Sequence, residues 1–330
     1  LGGTGVEVKG PEGPVGSGSA ALAAAVWFAY LNEAATMLEQ NYATRDDIDA
    51  AMRFGCGYPV GPLRQLDAIG LDKAAAILDV LYEASGDCRH RVSAAITDRV
   101  NAGNLGESTG AGFYTFSGAG SSEVVEEASA DGDAAGATRE IKLVGVIGTG
   151  TMATGIIEVF AKSGYDVVYV ARSDEKVAKV RAALEKSLDR AVSKGKLSED
   201  DKATILARVC GTTAHEDLGR VDIVVEAIVE DLETKKELFR TLDRVCKPGA
   251  ILATTTSSLS IDVLAAETAR PADVIGMHFF NPAPVMKLVE VVSGSATAQD
   301  VTDTTVVLCK AVKKHPVLCG DRAGFIVNFL

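Results

Sequence analysis

Histidine and paired cysteine are scarce in this 330-residue sequence. It contains four histidines, and its six cysteines include no Cys-x-x-Cys pair. A zinc site needs clustered ligands and a disulfide framework needs regularly spaced cysteines, so the sequence predicts neither. Cysteines this far apart are typical of buried thiols in a reducing compartment.

The sequence also lacks net positive charge and long apolar runs. Its formal net charge is −12, which argues against non-specific binding to nucleic acid or to anionic membranes. No uninterrupted apolar run reaches about 18 residues, and no signal peptide opens the chain. Because 47 % of the residues are hydrophobic, a packed core is expected. The composition predicts a soluble, cytoplasmic protein with no nucleic-acid or membrane partner.

The first part of the chain has the pattern of a helical domain. From residue 20 to about 102, alanine is frequent and apolar residues recur at steps of three and four. Thr44-Arg-Asp-Asp47 predicts an N-cap and an acidic first turn for a helix that ends near Phe54. Another helix is expected over 71–85, and the segment from Gly106 to Phe116 is a Gly-rich tail.

Strands alternate with helices after a segment rich in Ser, Gly, Ala and Glu. Four buried strands are predicted, over 142–147, 166–170, 221–225 and 250–254. Helical segments lie between these strands, and such alternation is typical of a parallel α/β sheet.

A glycine-rich turn follows the first of these strands and precedes a helix, with the sequence Gly148-Thr-Gly-Thr-Met-Ala153. In such a turn, Gly148 permits the tight bend, Gly150 lets the backbone approach a pyrophosphate, and Ala153 lets the helix pack closely against the strand. The helix N-terminus then faces the phosphates. The spacing predicts a dinucleotide site that also includes Thr151 and Met152.

The end of the second strand bears on which cofactor binds. An NAD enzyme usually has Asp or Glu there, which binds the ribose hydroxyls. This sequence has Ala171-Arg-Ser173 instead. Ala171 removes the carboxylate that would repel a 2′-phosphate, and Arg172 and Ser173 offer partners for one. We therefore expect NADP rather than NAD, although the same residues would also suit a solvated strand end.

A hairpin that carries a histidine and a glutamate is predicted over 276–292. If its two strands fold symmetrically about Pro284, His278 and Glu290 lie opposite each other. A carboxylate against an imidazole holds the ring in one orientation and raises its basicity. A histidine pKa starts near ~6.5, so such a base works at neutral pH. A histidine on a strand is, taken alone, more often structural.

Several segments resemble the 3-hydroxyacyl-CoA dehydrogenase family. The hairpin from Gly276 to Val292 resembles the family signature, and Thr254-Thr-Thr-Ser-Ser-Leu259 is similar to its Ser-Asn-Thr-Ser-Ser-Leu motif. Three more segments resemble the helical hairpin that meets CoA, the strand and helix that reach the cofactor, and the entry into the helical domain: 186–196, 224–235 and 321–328. The resemblance covers residues 140–330.

This resemblance implies a role for each matching residue. His278 takes the proton of the 3-hydroxyl while hydride leaves C3 for the nicotinamide, and Glu290 orients His278. Ser257 and Asn328 bind the substrate oxygens, and Asn281 positions His278 or the thioester. The residues implied at the two larger ligands are Glu230 and Lys235 for the cofactor and Ser187 and Lys194 for CoA. The implied reaction is the reversible oxidation of an (S)-3-hydroxyacyl-CoA, with 3-hydroxybutyryl-CoA preferred, in fatty-acid or butanoate metabolism.

Residues 29–116 resemble the same family's C-terminal helical domain, although they precede the nucleotide-binding part. The closing motif, Gly106 to Phe116, has Glu107 and Ser108 where the family has basic residues, and Ala24 falls where the family's Asn is expected. We therefore expect this region to serve in packing and in a homodimer rather than in catalysis.

The predicted fold class is α/β plus all-α, a Rossmann-type doubly wound parallel sheet preceded by a small helical domain. The predicted segments are an irregular N-terminal stretch (1–20), the helical domain (21–116), a flexible linker (117–139), the Rossmann domain with the catalytic His (140–320) and the start of a truncated second helical domain (321–330). Because the chain opens on Leu1 and ends on apolar residues, we expect a segment of a tandem two-module protein. A permutation, in which the helical domain serves the Rossmann domain, is the alternative.

Two other functions fit part of the same pattern. A catalytically inactive member, which binds cofactor or serves a structural role, would keep the fold, and the expected loss of downstream helices favours it. A dehydrogenase of free 3-hydroxy acids would use a lysine on a helix rather than a His–Glu hairpin. We expect the acyl-CoA enzyme because His278, Glu290, Ser257 and Asn328 are all present.

Overall fold

The computed structural model describes residues 19–125 and 136–330. The predicted irregular stretch 1–20 lies outside these residues except for its last two, which begin a helix, and 126–135 of the predicted linker lie outside them as well. The chain divides into two compact units, one ending at Asp133 and the other comprising Ala134–Phe329. Each unit is described by itself.

The N-terminal unit is helical in its described residues. Its α-helices are α1 (Ser19–Glu39), α2 (Arg45–Gly55), α3 (Pro62–Ile69), α4 (Leu71–Ser85) and α5 (Ala94–Asn101). The Thr44 side chain caps α2 by accepting a hydrogen bond from the Asp47 N–H, as predicted, and α4 has the predicted limits. Leu31, Leu66 and Leu78 are fully buried in the core of this unit.

Helix α1 also has the length and composition of a membrane-crossing helix, over Ala20–Glu39, and 33 % of that window is buried. It is the one such helix in the part of the chain that the structure describes. The search for uninterrupted apolar runs did not find it, because Asn32 and Glu33 divide the stretch.

The closing motif of the helical unit folds back onto α3. The buried Asp67 carboxylate accepts hydrogen bonds from the backbone N–H groups of Phe113 and Tyr114, each at 2.8 Å. Gly106 has φ +98°, and a Cβ there would lie 2.3 Å from the Asp67 carbonyl oxygen, so only glycine fits. Glu107 pairs with Arg64 at 2.6 Å. The acidic residue in this motif therefore takes part in a structural ion pair.

Both ends of the predicted linker are held in place. Phe116 pairs with Val124 in an antiparallel bridge. At the other end, the Arg139 guanidinium pairs with Asp273 at 2.7 Å and Asp300 at 2.8 Å. The predicted limits 117–139 are too wide, because composition does not reveal backbone bridges or ion pairs to residues distant in sequence.

The C-terminal unit contains an eight-stranded sheet in the order β3-β2-β1-β4-β5-β6-β7-β8. The strands are β1 (Leu143–Ile147), β2 (Asp166–Val170), β3 (Val209–Thr212), β4 (Ile223–Glu226), β5 (Ile251–Thr254), β6 (Val274–Phe279), β7 (Leu288–Ser293) and β8 (His315–Gly320). Strands β1 to β6 are parallel, whereas β7 is antiparallel to β6 and β8 is parallel to β7. The predicted fold class is confirmed.

Six helices accompany this sheet in the described residues. They are α6 (Thr151–Lys162), α7 (Asp174–Ser193), α8 (Glu199–Ala207), α9 (Leu232–Val245), α10 (Ile261–Ala265) and α11 (Gln299–Ala311). Val146, Val225 and Met277 are fully buried between the layers. Because β1, β4, β5 and β6 are parallel, their carboxyl ends lie at one edge of the sheet, where ligands bind in open α/β folds.

Candidate active site

The glycine-rich turn lies at this edge, between β1 and α6. Gly148 has φ +133°, and a Cβ there would lie 2.4 Å from the Ala227 carbonyl oxygen, which requires glycine. Gly150 precedes α6 and has nothing within 4 Å of where its Cβ would lie. Ala153 is fully buried. This open approach to the backbone at a helix N-terminus fits a pyrophosphate.

A cavity of about 850 Å³ adjoins the turn. Thr151, Met152 and Arg172 line it, as expected, together with Thr213 and His215. No Asp or Glu lines this cavity. Thr213 and His215 were missed by the sequence analysis because they follow β3, a strand too short to be predicted.

Ser173 does not line the cavity. Its hydroxyl caps α7 instead, accepting a hydrogen bond from the Lys176 N–H at 3.3 Å. An N-cap serine directly before an acidic first turn is a signal of helix start. Its proposed contact with a phosphate therefore competes with this local role.

The predicted His–Glu hairpin forms with the expected register. His278 and Glu290 lie opposite each other on β6 and β7, and His278 Nδ1 is 2.6 Å from Glu290 Oε2. Glu290 is fully buried and His278 is 7 % exposed. A carboxylate at this distance holds the proton on Nδ1, so that Nε2 keeps the lone pair that can accept a substrate proton.

The second oxygen of Glu290 binds a different part of the chain. Glu290 Oε1 accepts hydrogen bonds from the N–H groups of Ile326 at 3.0 Å and Val327 at 2.9 Å. Residues 323–328 form consecutive turns. One carboxylate thus joins the hairpin to the segment that carries Asn328, which is exposed, as is Asn281.

Ser257 follows β5 at the same edge and contacts a glutamate. Its N–H lies 2.8 Å and its Oγ 3.3 Å from Glu230 Oε1, and Thr256 Oγ1 donates to the same oxygen at 2.5 Å. Burial raises the pKa of Glu230, but the hydrogen bonds from Thr256 and Ser257 and the Lys235 ammonium outweigh it and hold that pKa below its usual range. Glu230 is therefore ionised at neutral pH.

Lys235 is buried beneath this group. Its Nζ lies 2.6 Å from Glu226 Oε1 and 3.4 Å from Glu230 Oε2. Glu226, fully buried at the end of β4, also accepts hydrogen bonds from the Ile228 N–H and Thr254 Oγ1, each at 2.7 Å. Sequence reasoning missed Glu226, although a carboxylate at the end of an apolar strand was the available signal. Glu230 and Lys235 do not line the cavity.

The residues expected to contact CoA lie on α7 or directly after it. Ser187 is half-buried and Lys194 is exposed just beyond the last turn. Within 19–125 and 136–330, no hydrogen bond or ion pair joins them to the hairpin, and no group of three or more His, Cys, Asp or Glu side chains could hold a metal ion.

Family comparisons match two parts of the chain. Residues 143–322 match the model of the 3-hydroxyacyl-CoA dehydrogenase NAD binding domain. Residues 22–116 match the model of the 3-hydroxyacyl-CoA dehydrogenase C-terminal domain. The part that matches the C-terminal domain therefore precedes the part that matches the NAD binding domain.

Individual relatives agree with these matches. The 3-hydroxybutyryl-CoA dehydrogenase of Clostridioides difficile is 49 % identical over 183 residues, which cover 56 % of this chain and 65 % of that protein. The 3-hydroxyadipyl-CoA dehydrogenase of Escherichia coli is 45 % identical over 188 residues, 57 % of this chain and 40 % of that protein. The crystal structure of (S)-3-hydroxybutyryl-CoA dehydrogenase from Ralstonia eutropha superposes with a TM-score of 0.57 at 42 % identity, over 58 % of this chain and 68 % of that one. The chain thus spans less than two thirds of the length of the first two relatives.

Proposed function

Since the chain belongs to the 3-hydroxyacyl-CoA dehydrogenase family, we propose that it oxidises an (S)-3-hydroxyacyl-CoA reversibly to the 3-ketoacyl-CoA with a nicotinamide cofactor. The observation that carries this proposal is the His278–Glu290 contact of 2.6 Å, at the sheet edge that also bears the glycine-rich turn. The names of two relatives favour 3-hydroxybutyryl-CoA as the substrate. Fatty-acid or butanoate metabolism is the proposed setting.

In the proposed reaction, His278 Nε2 takes the proton of the substrate hydroxyl and Glu290 stabilises the imidazolium that forms. A bound nicotinamide supplies the hydride acceptor. Ser257 and Asn328 bind the substrate oxygens. Two observations support them: Ser257 follows the strand next to β6, and Asn328 follows Val327, whose N–H binds Glu290. In the reverse direction, His278 returns the proton.

We assign the other predicted residues less direct roles. Asn281, three residues after His278, positions the ring or the thioester. Glu230 and Lys235 act on the cofactor side through the Ser257 loop, to which Glu230 is hydrogen-bonded. Ser187 and the exposed Lys194 contact CoA, whose phosphates attract an ammonium group.

We propose that NADP is the preferred cofactor. Ala171 ends β2 where a carboxylate would select NAD, and Arg172 lines the cavity beside it. Arg172 and His215 are the ionisable residues among those that line this cavity. Both can carry positive charge toward a 2′-phosphate.

The homodimer, the cytoplasmic location and the domain limits also stay proposals. Leu22, Val26 and Trp27 of α1 are 68 %, 65 % and 39 % exposed, which supports a contact with a second copy through the helical unit. Light scattering of the 330-residue chain tests the dimer, and a monomeric mass at all concentrations would refute it.

The proposed function is tested by acetoacetyl-CoA reduction with NADPH and NADH, in wild type and in His278→Gln. We expect turnover in wild type only, and faster turnover with NADPH. Ala171→Asp is the matched variant for the cofactor and should reverse that order. Cofactor binding without wild-type turnover would instead support the inactive-member alternative, and equal binding of the two nucleotides would contradict the NADP proposal.

A further inference from the structure

A buried lysine outside the candidate site contacts the turn of the catalytic hairpin. Lys314 lies between α11 and β8 and is 9 % exposed. Its Nζ donates hydrogen bonds to the carbonyl oxygens of Ala283 at 2.5 Å and Met286 at 2.7 Å. Burial lowers the pKa of this ammonium group. No carboxylate in the described part of the chain pairs with it.

Both carbonyls belong to the turn over 281–287, which joins β6 to β7. Within this turn the Met286 N–H binds the Pro282 carbonyl at 3.0 Å, and next to it the His315 N–H binds the Lys287 carbonyl at 2.7 Å. The carbonyls of Ala283 and Met286 point away from these ladders to Lys314. A buried carbonyl without a donor costs about 1–3 kcal/mol, so the ammonium stabilises this conformation of the turn.

The opposite side of the turn packs against the cofactor helix. A Cβ on Gly155 of α6 would lie 3.2 Å from Ala283 Cβ and 3.1 Å from Pro284 Cδ. Ala283 itself is 2 % exposed. The turn is therefore held between α6 on one side and Lys314 on the other, and its position sets the spacing between the cofactor helix and the strands that carry His278 and Glu290.

We propose that Lys314 is a positioning residue for the hydride-transfer reaction: it fixes the hairpin turn against α6 so that His278 and Asn281 face the bound ligands. This inference rests on the proposed function. An ammonium suits this position because it offers three donors and makes charge-assisted hydrogen bonds, which are stronger than neutral ones. The cofactor turn at Gly148 makes no contact with Lys314, so cofactor binding does not depend on it.

The test compares Lys314→Met, which keeps the apolar stem without donors, with Lys314→Arg, which keeps charge and donors. Lys310→Met, an exposed lysine on α11, is the matched control. A displacement of about 1 Å costs on the order of 10²-fold in rate. We expect kcat of Lys314→Met to fall by about that factor per folded molecule, the cofactor KM to stay within about twofold, and Lys314→Arg to recover about tenfold.

Three outcomes overturn the proposal. One is kcat of folded Lys314→Met close to wild type, and another is a loss shared equally with cofactor binding. The third is a melting temperature that falls while kcat per folded molecule is unchanged, since a purely structural residue behaves that way. If Lys314→Met does not fold, Lys314→Gln replaces it under the same criteria. Absence of wild-type turnover would refute the proposed function as well, whereas wild-type turnover with an unaffected variant would refute only the role of Lys314.

Discussion

Replacing Glu290 by Gln keeps the shape of the side chain and removes the carboxylate that contacts His278. Two orientations of the new amide are possible, and the structure shows what each would meet. With the amide nitrogen toward His278, the ring must accept at Nδ1 and carry its proton on Nε2. In that tautomer, His278 cannot take the substrate proton.

With the amide oxygen toward His278, the nitrogen faces the N–H groups of Ile326 and Val327, which bind Glu290 Oε1 at 3.0 and 2.9 Å. Donors then face donors, at a cost of about 1–3 kcal/mol for each buried N–H left unpaired. The first orientation is therefore favoured and the base is lost. General-base catalysis contributes about 10²–10⁴-fold, so we expect kcat to fall about 10³-fold, or about 4 kcal/mol.

The assay is steady-state reduction of acetoacetyl-CoA by wild type, Glu290→Gln and Glu233→Gln, whose glutamate lies exposed on α9. Cofactor affinity, measured by fluorescence titration, should be the same in all three. The reasoning is refuted if folded Glu290→Gln keeps kcat within about tenfold of wild type, because the His278–Glu290 contact would then not control the tautomer.

Three further predictions concern other parts of the chain. Gly148→Ala places a Cβ 2.4 Å from a backbone carbonyl oxygen and should weaken cofactor binding by about tenfold or more; an unchanged titration would contradict it. Glu226→Gln leaves the buried Lys235 ammonium without its 2.6 Å carboxylate partner and should lower unfolding free energy by about 3–5 kcal/mol in urea, with little change expected only if the charge is already screened. Burial raises the pKa of Asp67 to about 6, against the backbone hydrogen bonds that lower it. Its contribution to stability is full below the unfolded pKa near ~4 and lost as pH rises through about 6. Relative to Asp67→Asn, the helical unit should therefore lose about 2–3 kcal/mol between pH 4 and 7, reported by fluorescence of Trp27, the single tryptophan, and a constant difference would refute this.

Local sequence patterns determined much of the fold and part of the site. The spacing of Gly148, Gly150 and Ala153 between a strand and a helix depends on neighbouring residues, and the structure has that turn. The His278–Glu290 register was predictable too, because a hairpin symmetric about Pro284 leaves one pairing for each residue. The strand–helix alternation led to the correct fold class for the same reason, since periodicity is a local property.

The tertiary structure alone decided which distant residues share a hydrogen-bonding partner. Glu290 reaches Ile326 and Val327 across 36 and 37 positions, and Lys314 reaches Ala283 across 31. Strands β3 and β8 and the held ends of the linker also depend on pairing with residues far along the chain. A buried polar group must find a partner wherever the fold brings one near, and periodicity along the chain carries no record of that choice.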